Sequence, residues 1–217
     1  MPLTESAPLV IAVDGPAAVG KGTLARRLAA HYGLRHLDTG LLYRATALRV
    51  LRAGGDPEVE TEAAAAANAI TDADLDDPAL RDQIVGDAAS VVGTHPAVRR
   101  ALLHLQRAFA ARAPGAVLDG RDIGTVVCPD ARVKFYLEAT TEVRAARRLC
   151  ELRSRGAESI ESHVLEEIIA RDARDRRRSA APMKPAADAC RIDTSALGPN
   201  DVFEQAVAIV DARLSSA

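Results

Sequence analysis

The chain has no tryptophan, and three tyrosines with three phenylalanines bring aromatics to only 3% of 217 residues. Proteins that hold single-stranded nucleic acid by stacking its bases need aromatic platforms, so this composition argues against that mode of binding. Positive charge is not in surplus either. The 28 Lys and Arg stand against 30 Asp and Glu, a formal net charge of -2. A protein that coats nucleic acid is usually basic, so any anion site here has to be local. No apolar run approaches the roughly 20 residues that cross a bilayer as a helix. The segment Met1–Pro8 is short and polar, with an acidic residue and no basic opening of a secretory signal. Cysteine is scarce: Cys128, Cys150 and Cys190 are an odd count without paired spacing, which suggests neither a disulfide framework nor a zinc site. They read as small buried or half-buried thiols, and a reducing cytoplasm fits them.

What is present is the material of an α/β domain. Hydrophobic residues are 48% of the chain, enough for a substantial core, and the length suits one domain with an insert. Leu9-Val-Ile-Ala-Val13 is a continuous apolar run, the mark of a strand buried on both faces of a parallel sheet. Further strands are expected at Arg35–Asp38, Ala116–Asp119, Val133–Leu137 and Arg191–Asp193. Helices are expected over Gly22–Tyr32, Thr141–Arg155, Ile160–Arg178 and Asn200–Leu214, the last capped by Asn200 or Asp201. Strands alternating with helices predict a doubly wound, parallel, five-stranded sheet. Residues 54–96 are rich in Ala, Asp and Glu and poor in strand signals, and read as an inserted helical subdomain. The core is then 9–53 and 97–217 of a single domain, 1–217. Residues 144–178 are dense in Arg and read as a mobile cover over an anion site.

The strongest motif is Gly15, Pro16, Ala17, Ala18, Val19, Gly20, Lys21, Gly22 and Thr23, between the first strand and first helix. It fits the G-x-x-x-x-G-K phosphate-binding loop in its required context. Glycine lets backbone N–H groups converge on phosphate oxygens. The following helix presents its free N–H groups and positive end, and Lys21 adds a full charge. The hydroxyl usually found directly after the Lys comes one residue later, at Thr23, which leaves open a contact to Mg²⁺ either direct or through water.

Two further turns, Asp38-Thr-Gly-Leu-Leu-Tyr-Arg44 and Asp119-Gly-Arg-Asp122, follow expected strands at the edge where open α/β sheets bind ligands. Asp38 also suits an Asx-turn or helix cap, and Asp119-Gly-Arg-Asp122 a turn with a local ion pair. In the run Arg171–Arg178, Arg171, Asp175 and Arg178 share a helix face by spacing. A solvated, ion-paired surface explains that run equally. An acceptor phosphate monoester is mostly dianionic at pH 7, because its second pKa is about 6, so it needs no general base. The five His are scattered, and no His–Asp pair is evident in the sequence. Such a reaction requires positioning and charge neutralisation, and Arg supplies both through its planar fork.

The motifs Asp14–Thr23, Leu37–Arg44, Gln106–Phe109, Asp119–Val127 and Arg171–Arg178 followed by Ala181-Pro182 resemble bacterial-type cytidylate kinases, within the nucleoside-monophosphate kinases. The resemblance runs from Ile11 to about Val210. It implies a P-loop kinase fold that moves the γ-phosphoryl group of ATP to CMP, and to dCMP, with Mg²⁺. The sequence itself gives no reason to expect a dimer, so a monomer is expected, in the cytoplasm and without nucleic-acid or membrane partners. The resemblance also implies that Arg44, Arg121 and Arg178 clamp the CMP phosphate and that Asp175 meets the ribose. Ser90, Arg99 and Asp122, with Thr39 nearby, would read the base. Arg147 and Arg148 would be lid arginines on the ATP phosphates and, with Lys21, Arg121 and Arg178, the catalytic set. Cytosine offers an amino donor at N4 that a carboxylate accepts, and acceptors at N3 and O2 that suit Arg; uracil reverses the pattern. Kinases of the same fold acting on UMP, AMP or another metabolite remain open, as does a nucleotide-binding regulator that transfers nothing.

Overall fold

The segments expected as strands form five parallel strands in a computed structural model that describes residues 8–154, 156 and 158–215. Met1 to Ala7 and Arg155, at the end of an expected helix, lie outside the described residues. The strands are β1 (Leu9–Asp14), β2 (Arg35–Asp38), β3 (Gly115–Gly120), β4 (Val133–Glu138) and β5 (Cys190–Asp193). Their order is β2-β3-β1-β4-β5. The first strand is thus central, paired with β3 from Leu9↔Gly115 to Asp14↔Gly120 and with β4 from Ile11↔Val133 to Asp14↔Tyr136.

Eight α-helices accompany them among the described residues: α1 (Lys21–Tyr32), α2 (Thr39–Arg52), α3 (Glu60–Asn68), α4 (Gln83–Val92), α5 (Pro96–Ala110), α6 (Thr141–Ser154), α7 (Glu161–Arg177) and α8 (Pro199–Ser215). The two-residue period of a strand divides the sheet's side chains between two faces. Ile11, Val13, Val117 and Phe135 pack with Leu24 and Leu28 of α1 and with Val202, Ala206 and Val210 of α8. Ala12, Ala116 and Leu118 pack on the other face with residues of α2 to α5. The sheet is therefore covered on both sides, as all-parallel sheets require.

Residues 54–96 hold α3, α4 and two short 3₁₀ turns, Asp72–Asp76 and Pro78–Arg81. Ala63, Ala67, Ala88, Ala89 and Val92 from this segment share one apolar cluster with the sheet residues Ala12 and Leu118. The α6–α7 pair has a small cluster of its own, Ala145, Leu149, Leu152, Val164 and Ile168, against which Ala18 packs.

Several expectations are corrected in detail. The turn expected after β2 is the start of α2, a helix of 14 residues, with Asp38 Oδ1 accepting from the Gly40 N–H at 2.9 Å. The last helix starts one residue before Asn200, at Pro199; Asp201 Oδ2 accepts from the Gly198 N–H at 3.0 Å, whereas Asn200 Oδ1 accepts from Arg27. Cys150 is exposed, where a buried or half-buried thiol was expected; Cys128 and Cys190 are half-buried.

Candidate active site

The carboxyl ends of β1, β2 and β3 open into a cleft of about 920 Å³ bounded by the phosphate loop, α2, α4 and α7. The loop is shaped by two glycines in conformations that disfavour side chains. Gly15 has φ 146° and Gly20 φ 98°. A Cβ on Gly15 would lie 2.4 Å from the Leu137 carbonyl oxygen, so the loop crosses β4 at a distance only glycine permits. Lys21 opens α1, is 7% exposed, and its Nζ donates to the Pro16 carbonyl at 2.6 Å. Burial, helped by the positive charge of Arg121, lowers its pKa from 10.5 to about 7. Thr23, one turn into the cleft, is exposed.

Opposite the loop stands a row of guanidinium groups. Arg121, from the turn after β3, donates through Nε to Asp175 Oδ2 of α7 at 2.9 Å. Arg178, just past the end of α7, donates through Nε to the Asp175 carbonyl at 3.3 Å and holds the carboxylate at 3.8 Å. Burial alone would raise the Asp175 pKa, but Arg121, Arg178 and Arg171 together hold it below the usual range. Arg44 on α2 donates to the Leu80 carbonyl at 2.7 Å. Sequence spacing places Arg171 on the helix face of Asp175 and Arg178 without giving it a role. In the structure its pKa falls to about 10, through burial and then the nearby Arg121. Nε of Arg171 and Nη2 of Arg178 are both buried without a hydrogen-bond partner. Buried N–H groups of this kind are rare unless a ligand completes them, and mutually repelling cations gain most from a polyanion.

The expected base readers converge at the other side of the cleft. Arg99 and Asp122 form a buried ion pair, and Arg99 Nη1 also donates to the Gly93 carbonyl at 3.2 Å. Ser90 Oγ accepts from Arg174 Nε at 3.1 Å, and Thr39 Oγ1 donates to the Asp119 carbonyl at 2.8 Å. Behind this turn lies Asp14, 3% exposed, whose two oxygens accept the N–H groups of Ile123 at 2.8 Å and Gly124 at 2.7 Å. Burial raises its pKa to about 6. An acid ending a buried apolar strand is the signal that could have singled it out.

Arg147 does not join the cleft. Its guanidinium donates to Thr194 Oγ1 at 2.9 Å and to the Thr194 carbonyl at 2.6 Å, binding α6 to the residue after β5. Adjacent helix residues point about 100° apart, so Arg148 takes the cleft-facing direction instead. It donates to Gln83 Oε1 of α4 at 2.6 Å and to Glu151 at 2.8 Å. A His–Asp pair, not evident in sequence, is present: His36 Nε2 lies 2.7 Å from Asp119 Oδ1, brought there by the parallel register of β2 and β3.

Among the described residues no three His, Cys, Asp or Glu side chains gather as a metal centre. Mg²⁺ commonly sits on substrate phosphates and water with one or two protein oxygens, and Thr23 at the helix start fits that limited role.

The sequence model of cytidylate kinases matches residues 11–212. The chain is 55% identical over 204 residues to a cytidylate kinase of Rhodopseudomonas palustris (strain TIE-1), covering 94% of this chain and 96% of that one. It is 56% identical over 203 residues to a cytidylate kinase of Nitrobacter winogradskyi, again covering 94% and 96%. Among solved structures, a gluconokinase from Sinorhizobium meliloti 1021 matches with TM-score 0.51 at 17% identity over 98% of this chain and 96% of that one. A kinase described as putative from Chloroflexus aurantiacus matches with TM-score 0.50 at 16% identity, over 96% and 98%. These two likenesses concern the fold alone.

Proposed function

The chain belongs to the cytidylate kinase family, and from that membership we propose how its cleft divides the work of moving the γ-phosphoryl group of ATP to CMP. The enzyme is an ATP-dependent nucleoside-monophosphate kinase. A CMP phosphate oxygen attacks Pγ, the bond from Pγ to the bridging oxygen of ADP breaks, and CDP and ADP result. The attacking oxygen is already anionic near pH 7, so no side chain has to remove its proton.

In this reading residues 15–23 cradle the ATP phosphates, with Lys21 against the transferring group. Arg44, Arg121 and Arg178 receive the CMP phosphate, and Arg171 joins them. Asp175 meets the ribose. The Arg99–Asp122 pair, with Ser90 and Thr39, faces the cytosine edge, the carboxylate accepting from N4 and the guanidinium donating to N3 or O2. Residues 54–96 serve as the acceptor subdomain and 144–178 as the lid, from which Arg148 reaches the ATP phosphates. Mg²⁺, when bound, would supply charge neutralisation for the phosphoryl transfer, and Thr23 would offer it a hydroxyl directly or through water. We further infer dCMP as a second acceptor, a monomer as the working form and the cytoplasm as its location. The net charge of -2 supports free nucleotides rather than nucleic acid as the partners.

The observation that carries the site assignment is the pair of unpartnered buried N–H groups on Arg171 and Arg178 in a cation row facing the phosphate loop. The test is ADP release with ATP and Mg²⁺ in the presence of CMP, dCMP, UMP, AMP or no acceptor. Turnover with CMP, and with dCMP more weakly, is expected. Equal turnover with every acceptor would remove the base-reading roles.

A further inference from the structure

Among the described residues Arg144 is the bulkiest side chain to be almost fully buried, at 2% exposure. A buried guanidinium is costly unless each of its five N–H donors finds an acceptor. Here each does. Nε donates to the Ala139 carbonyl at 3.2 Å, at the β4–α6 junction. Nη1 donates to Asp172 Oδ1 at 3.2 Å and to the Ala17 carbonyl at 3.3 Å. Nη2 donates to Asp172 Oδ2 at 2.7 Å and to Thr141 Oγ1 at 3.2 Å. Asp172 is 3% exposed and sits on α7, on the turn that also carries Arg171 and Asp175.

One side chain therefore ties three parts together: the phosphate loop through Ala17, helix α6 through its first turn, and helix α7 through Asp172. A second contact runs the same way, because Ala18, the next loop residue, packs on the apolar cluster of α6 and α7. Ala18 also holds φ 58°, a left-handed conformation uncommon for a residue with a Cβ, which needs support from its surroundings. The remaining polar face of α7 carries Arg171, Arg174 and Asp175 toward the cleft.

We propose that Arg144 is a positioning residue for phosphoryl transfer: it sets the height and rotation of α7, and so of the acceptor-side arginines, relative to the loop that holds the donor phosphates. It touches neither substrate. The inference rests on assigning the loop to ATP and α7 to CMP. In-line transfer depends steeply on alignment, so a small misregistration of the two anion sites lowers kcat. The pairing is bidentate, and Lys cannot reproduce it.

The experiment separates positioning from support of the fold. Arg144→Met alone strands a buried carboxylate and lowers Tm. The double variant Arg144→Met with Asp172→Leu replaces the whole pair by apolar groups, an exchange that often restores stability. With Tm back near wild type, kcat is expected to stay at least about tenfold low, with KM for CMP and for ATP each changed by less. Recovery of kcat along with Tm would overturn the proposal. Arg144→Lys gives an independent reading should the double variant fail to fold: it keeps the charge beside Asp172 and loses the reach to Ala17. A kcat at least about fivefold below wild type is expected there, and a wild-type kcat would equally overturn the proposal. Failure of the underlying assignment would look different, since Lys21→Ala and Arg178→Ala would then retain full activity.

Discussion

Arg121 and Asp175 are 54 residues apart in sequence and meet at 2.9 Å, joining the turn after β3 to helix α7. The pair holds the Arg121 guanidinium beside the carboxylate assigned to the ribose, on the acceptor side of the cleft. Asp175→Ala should therefore act on the acceptor alone. KM for CMP is expected to rise about tenfold or more, corresponding to about 1.4 kcal/mol of binding, while KM for ATP stays within about twofold. The preference for CMP over dCMP should shrink as well. Steady-state kinetics with the three nucleotides check this, and an unchanged CMP-to-dCMP ratio would remove Asp175 from the ribose.

Asp122→Ala leaves Arg99 buried and without its carboxylate. Unpaired polar groups in a buried site cost about 1–3 kcal/mol, so the ratio of kcat/KM for CMP over UMP should fall about tenfold or more. ATP affinity, followed by fluorescent-nucleotide displacement, should hold. Intact selectivity would sink the base-reading role.

Lys21 gives a prediction with a sign in pH. Its folded pKa of about 7 lies below the ordinary 10.5, so between those values the unfolded chain binds a proton that the folded chain does not. Stability then rises with pH across that window. Lys21→Met should match or exceed the wild-type Tm at pH 6.5, and its advantage should shrink toward pH 10, while turnover falls about a hundredfold or more. ATP should draw the proton back, so binding at pH 8 should take up protons, measured by calorimetry in buffers of different ionisation heat. A variant less stable than wild type at pH 6.5 would count against the buried charge.

Arg147 and Arg148 are neighbours with different partners. Arg147→Ala removes two hydrogen bonds to Thr194 and should cost about 1–3 kcal/mol of stability, with kcat within about threefold of wild type. Arg148→Ala also removes two hydrogen bonds, to Gln83 and Glu151, so its stability should fall comparably, and the difference should appear in kcat, down about tenfold. Saturating kinetics beside thermal melts distinguish the two, and a large kcat loss in Arg147→Ala would return it to the catalytic set.

Gly15→Ala places a Cβ 2.4 Å from the Leu137 carbonyl oxygen at φ 146°. A backbone forced in this way costs about 2 kcal/mol, and in a chain of this size Tm should drop by roughly 4–8 °C. Activity should fall further than stability, because the displaced loop is the one assigned to the ATP phosphates. A Tm within a degree of wild type would contradict the close crossing.

The central strands were legible because strands buried on both faces are largely apolar runs, and Leu9–Asp14 and Val133–Glu138 lie within a residue of where such runs place them; the edge strand Arg35–Asp38, with Leu37 its one apolar residue, was placed by the polar turn that follows it instead. Helix α2 was not, since Asp38-Thr-Gly carries the chemistry of a turn and of a cap alike. Helix α5 was hidden because its first residue, Pro96, reads as the end of the insert. Within the cleft, the residue types were legible and their partners were not. Arg99 and Asp122 are 23 residues apart, and His36 and Asp119 are 83 apart; the packing of α5 beside the turn after β3 brings the first pair together, and the register of β2 and β3 the second. Nor does a sequence say which of two successive helix arginines, Arg147 or Arg148, faces solvent-filled space and which faces the sheet edge.

The central place of β1 has a consequence for synthesis. Its two partners, β3 and β4, end at Gly120 and Glu138, so a growing chain carries Leu9-Val-Ile-Ala-Val13 unpaired until most of the protein has left the ribosome. At about 5–20 residues per second that interval is on the order of ten seconds. During it both hydrogen-bonding edges of an apolar strand lack their native partners, so shielding of this run during synthesis bears on the yield of folded enzyme.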